Sequence, residues 1–236
     1  MKPLFCYLIV LLFVNLAHAT PEVVLAPVDH LFIPKGFDNN DNIEVLVTGN
    51  FPNPCFIKNK VDVDVNGNEI RIEVTSLLRQ SPVMEICAPL KVPFMEEVTI
   101  GNLQAGNYKL IINEGSTVEI KKDLVVTESS SQGVDDHIYA MVEYVETGFT
   151  GGLSGDAVLV AWKPDCLALD EVKYLSNGED SISIMPIMKK IKPSCSDINE
   201  RIQIPIKFDL NQFSYNKVLL FVRTMDGKSQ GALISK

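Results

Sequence analysis

Two stretches of this chain carry the same landmarks in the same order, and that repetition constrains the fold more than any other feature. Val45-Leu-Val47 precedes Cys55, and Val158-Leu-Val160 precedes Cys166. Ile70-x-Ile72 follows Cys55 by 15 residues, and Ile182-x-Ile184 follows Cys166 by 16. A second cysteine comes 32 residues after the first in one stretch (Cys87) and 29 after it in the other (Cys195). Leu103 and Tyr108 lie five apart, as do Leu210 and Tyr215. Between the copies, Thr127-Glu-Ser-Ser-Ser-Gln-Gly133 is polar and without apolar periodicity, which reads as a flexible linker. The expected organisation is a leader at 1–19, one domain at 20–126, a linker at 127–136 and a second copy at 137–236.

Within each copy the apolar residues alternate with period two. Ile43-x-Val45-x-Val47, Val61-x-Val63-x-Val65 and Ile70-x-Ile72-x-Val74 do so in the first; Ile182-x-Ile184 and Ile202-x-Ile204-x-Ile206 do so in the second. Val218-Leu-Leu-Phe-Val222 is a continuous apolar run. No stretch combines helical periodicity with caps. Short strands at this spacing predict an all-β chain of sandwich or barrel type.

The segment Leu103-Gln-Ala-Gly-Asn-Tyr108-Lys-Leu110 resembles the corner before a late strand of immunoglobulin-like and fibronectin-type β-sandwiches. There a tyrosine hydroxyl turns back to the backbone. The resemblance implies two tandem immunoglobulin-like β-sandwich domains. The chain departs from antibody-type domains in two ways. Its cysteines are closer together, and Trp162 precedes Cys166 instead of lying between the pair. The bridges therefore tie an early strand to a middle one.

The compartment follows from the N-terminus and the cysteines. Met1-Lys2, an apolar run from Leu4 to Leu16 and Ala17-His18-Ala19 form a signal peptide with a small-x-small cleavage site. The run is shorter than the ~20 residues of a membrane span, so the mature chain carries no span. Cys6 leaves with the leader. Cys55, Cys87, Cys166 and Cys195 remain, an even count suited to an exported, periplasmic or extracellular, protein. Zinc wants close Cys or His pairs, and here the closest cysteines are 29 apart. The repeat selects Cys55–Cys87 and Cys166–Cys195, one bridge per domain. Each closes a loop that the chain-entropy description values at about 3–4 kcal/mol.

A formal net charge of −9 disfavours nucleic acid and anionic membrane surfaces as partners. Individual motifs point to little chemistry. Asp62-Val-Asp-Val-Asn66-Gly67, ending at Glu73, matches the calcium-loop pattern. Its flanks alternate as strands, so Asn66-Gly67 reads as a hairpin turn. The Asx cluster Phe37-Asp-Asn-Asn-Asp-Asn-Ile43 is the better calcium candidate, with Asp38 and Asp41 as ligands, though an Asx-rich turn explains it equally. The glycine-rich Gly148–Gly155 stretch offers a possible binding loop through Phe149, Gly151, Gly152 and Leu153. His137 beside Asp135 and Asp136 reads as a solvated edge, because no nucleophile motif accompanies it. Lys189, Lys190 and Lys192 read as a solvated loop with a partner patch as the alternative.

These observations lead to an exported, non-enzymatic binding or structural protein without cofactor, recognising a protein or envelope partner through loops or strand edges. Two alternatives stay open. One is a periplasmic assembly chaperone, since pilus chaperones are similar in size, leader and domain pair but typically basic. The other is a secreted enzyme or inhibitor.

Overall fold

The computed structural model describes residues 21–79, 87–148 and 154–236. The expected leader at 1–19 and the loop residues Phe149, Gly151, Gly152 and Leu153 lie outside them. The described residues form an all-β molecule, and none of its helices is long and apolar enough to cross a membrane.

The first half builds β1 (Glu22–Leu25), β2 (Val28–Phe32), β3 (Ile43–Phe51), β4 (Phe56–Asn66), β5 (Glu69–Leu78), β6 (Val92–Gly101), β7 (Gly106–Ile112) and β8 (Ile120–Val126). One sheet runs β4-β5-β7-β8, with β1 against the far half of β5. The facing sheet is β2-β3-β6. The second half builds β9 (Met141–Thr147), β10 (Ser154–Pro164), β11 (Leu167–Ser176), β12 (Ser181–Lys190), β13 (Asn199–Asp209), β14 (Lys217–Thr224) and β15 (Lys228–Ser235). Its sheets are β11-β12-β14-β15 and β13-β10-β9. From β2 onward the wiring matches the first half strand for strand, β1 having no counterpart strand, and it includes the unusual parallel pairing of β5 with β7 and of β12 with β14. Disulfides join Cys55 to Cys87 and Cys166 to Cys195, each within one half.

The corner forms as the resemblance implies: the Tyr108 hydroxyl donates to the Gln104 carbonyl at 2.8 Å. Its expected counterpart does not. Ile70 pairs with Leu110 and Ile182 with Leu220, so Val218, not Tyr215, occupies the place of Tyr108. Tyr215 lies before β14, exposed, with its ring against His30 of β2 in the first half instead of turned back into its own sandwich.

Two further expectations shift. Asn66 pairs with Glu69, so the hairpin turn is Gly67-Asn68 rather than Asn66-Gly67. Gly67 has φ +57°, whereas Asn68 is not among the residues of positive φ, the pattern of a type II′ turn. The calcium-pattern carboxylates thus stand on two strands, Asp62 facing Glu73 and Asp64 facing Arg71, all on a solvated face. The Met185–Lys190 segment is not loop but the end of β12, buried through Met188. Lys189 pairs with Asp170 and Lys192 with Asp165, both exposed.

The halves are not beads on a string. Along β14, Val218, Leu220 and Val222 enter the second-half core, while Leu219 and Phe221 enter the first-half core. On the facing sheet, β3 buries Val45, Leu46 and Val47 in succession, so both of its faces are covered. A strand covered on both faces must be apolar at every position, and that is the meaning of the Val218–Val222 run.

Candidate functional site: the seam and its cleft

The seam between the halves holds most of the buried charge. Arg223 follows the apolar run of β14 on the face that carries Leu219 and Phe221. It is 6% exposed. Its guanidinium donates to Asp41 and, at 2.9 Å, to Asp135. The rings of Phe37 and Tyr139 flank it at 5.6 and 5.8 Å. Burial alone would lower the arginine's pKa; Asp41 and Asp135 raise it instead. Asp41 also accepts the Asp38 N–H at 2.9 Å. The Asp38–Asp41 segment forms a hydrogen-bonded Asx turn, and its Asp41 carboxylate serves as an anchor for Arg223. Burial, reinforced by the Asp41 charge, pushes the Asp38 carboxyl up to about 6.

The 127–136 segment is pinned, not a loose tether. The Asp136 carboxylate accepts from the Ser130 N–H (2.8 Å) and hydroxyl (2.6 Å), the Ser131 N–H (2.9 Å) and the Asn40 amide (3.2 Å). These bonds outweigh burial and hold its pKa below the usual carboxylate range. His137 is exposed. Of the Asp135–His137 group, only the two aspartates take part in the seam.

A second polar contact crosses lower down. Asp180, 1% exposed, accepts from His30 Nε2 at 2.7 Å, Lys122 Nζ at 2.8 Å and Asn177 Nδ2 at 2.7 Å. Burial would raise its carboxyl; these bonds prevail and hold it at about 2. The Tyr215 ring stacks on His30 at 4.0 Å. Sequence reading missed His30, Lys122, Asp180 and Arg223. Only Arg223 carried a signal, a cation directly after an unbroken apolar run. Among the described residues, no group of three or more His, Cys, Asp or Glu side chains converges as a metal-ligand set.

Beside this contact opens a cleft of about 890 Å³, bounded by Ile33–Phe37, the edge of β8 and the end of β11 at Leu175–Ser176. Gly36 shapes it. Its φ is +89°, and a Cβ there would stand 2.6 Å from Leu175 Cδ1. The wall is fixed from behind: the Ile33 carbonyl accepts from the Ser181 hydroxyl at 3.0 Å, and the Lys35 carbonyl from the Ser183 hydroxyl at 2.6 Å.

Residues 45–121 match the family described as the ORF11 beta-sandwich domain. The match runs from β3 into β8 and covers a minority of the chain, all in the first sandwich. No curated protein and no solved structure matches the chain. The chain is thus an all-β protein whose first half is similar to that β-sandwich domain, a scaffold that fits a structural or binding module.

Proposed function

We propose that this chain is an exported, non-enzymatic binding module whose two sandwiches are clamped together so that the cleft beside β8 presents a fixed surface to a macromolecular partner. The observation that carries the reading is the division of labour at the seam. Its buried charges are taken up in ion pairs between the halves, while the adjacent cleft keeps exposed apolar side chains at Val125 and Leu175. Exposed apolar surface in a concave, rigid setting favours recognition. The two disulfides support an oxidising compartment.

The test places a photo-crosslinking side chain at Val125 and, as a control, at Asp62 on the solvated β4–β5 hairpin, in the producing cell. The expected result is a mature N-terminus at Thr20, recovery outside the cytoplasm and a discrete adduct from position 125 only. A chain retained in the cytoplasm with reduced cysteines, or without an adduct from either position, would overturn the reading.

A further inference from the structure

Inside the cleft, β8 ends its sheet: β7 pairs with one side, and among the described residues no strand pairs with the other. Thr127, just beyond β8, sets the direction of the backbone groups on that open edge. Its N–H donates to the Phe37 carbonyl at 3.0 Å, and its carbonyl accepts the Asn39 N–H at 3.0 Å. Both groups point away from β7. Backbone groups alternate in direction along a strand, so Asp123 and Val125 also aim their N–H and C=O away from β7 and into the cleft.

The nearby chain of this protein cannot take them. It starts a parallel ladder at Asp38–Thr127 and leaves it below Phe37. Gly36 turns the backbone through a left-handed conformation, and Pro34 has no N–H to donate. The carbonyls of Ile33 and Lys35 are already bonded to the β12 serines. The result is a sheet edge with alternating donors and acceptors, faced across the cleft by a fixed wall.

We infer that the cleft receives an extended peptide segment of another protein, which adds to β8 as a further strand in line with Phe37–Asn39. This rests on the binding-module reading and names the partner's chemistry. Main-chain bonds to Asp123 and Val125 supply the attachment, and alternate side chains supply selectivity. Leu175 and Val125, 42% and 57% exposed, select a segment with an apolar residue at every second position. Lys35 on one wall and Asp123 on the other, neither in an ion pair among the described residues, favour a segment of low net charge.

A random decapeptide library panned against the oxidised protein provides the probe. Enriched peptides should alternate apolar and polar residues, and a bound peptide should slow amide exchange at Asp123 and Val125. Methylating alternate peptide nitrogens should weaken binding about tenfold or more, the worth of lost main-chain hydrogen bonds. Asp123→Pro should do the same from the protein side without lowering Tm, because that N–H has no partner among the described residues. Three outcomes overturn the inference: no alternating peptides, protection confined to another surface, or protection of the β8 edge by a second copy of the chain. Peptides that bind elsewhere would leave the binding-module reading standing. Absence of an adduct in the crosslinking experiment would remove that reading as well.

Discussion

Arg223 illustrates why buried charge at this seam is costly to disturb. Its guanidinium has left water, and Asp41 and Asp135 compensate only while all three groups are present. Arg223→Met leaves two largely buried carboxylates unpaired and should cost about 3–5 kcal/mol in urea unfolding. Arg223→Met combined with Asp41→Asn and Asp135→Asn should recover most of that loss. A single-variant loss below ~1 kcal/mol, the range of an exposed pair, would contradict the burial argument. Asp38 behaves in the opposite sense. Its folded pKa of about 6 lies above its ordinary 3.8, so the native state binds the extra proton between those values. Its charged form costs stability in full above about pH 6, and the cost fades as pH falls toward 4. Asp38→Asn should therefore raise Tm at pH 8 and leave it unchanged near pH 3.5. Equal effects at both pH values would show that the group acts through packing instead. Asp180 runs counter to this: its folded pKa lies below 3.8, so its contribution is present above pH 4 and is lost as pH falls toward 2.

Among elements, the β4–β5 hairpin separates what alternation can and cannot say. The pattern Val61/Val63/Val65 against Ile70/Ile72/Val74 identified the two strands. It placed the turn one residue early, at Asn66-Gly67, because Asn-Gly is the commonest tight-turn pair and alternation alone does not fix the register. The observed register sets it at Gly67, whose positive φ an alanine can adopt only with strain. Gly67→Ala should cost about 1–2 kcal/mol by thermal unfolding, while Asn66→Ala should cost clearly less. Equal losses would restore Asn66 to the turn. The tyrosine corner gives the same lesson. Leu103–Tyr108 was legible because its hydrogen bond is local, spanning four residues to Gln104. Leu210–Tyr215 repeats that spacing by coincidence: the 3₁₀ turn at Leu210–Gln212 places the ring outside the sheet, against His30. Likewise Lys189 and Lys190 read as loop because charge dominates a short window, although the preceding residues are strand core.

At the scale of the molecule, the shared strand β14 predicts coupled unfolding. Phe221 belongs by sequence to the second half and by packing to the core of the first. Phe221→Ala should cost about 3–5 kcal/mol and should lower hydrogen-exchange protection of β3 as well as of β14. Loss confined to the second half would mean independent sandwiches. Trp162, the only tryptophan, reports the second half by fluorescence, and its transition should coincide with loss of β3 protection. The sequence by itself determined the β character, the repeat, the cysteine pairs consistent with it and the corner at Tyr108. All of these depend on contacts that are local or that recur at a fixed spacing. Only the tertiary structure decided that the linker is pinned by Asp136, that Arg223 and Asp180 clamp the seam, and that β8 keeps an open edge in a cleft. Those features join residues as far apart as Asp41 and Arg223, which periodicity within a window cannot connect. They depend on which faces meet when two sandwiches pack, a choice made by whole surfaces rather than by any one segment.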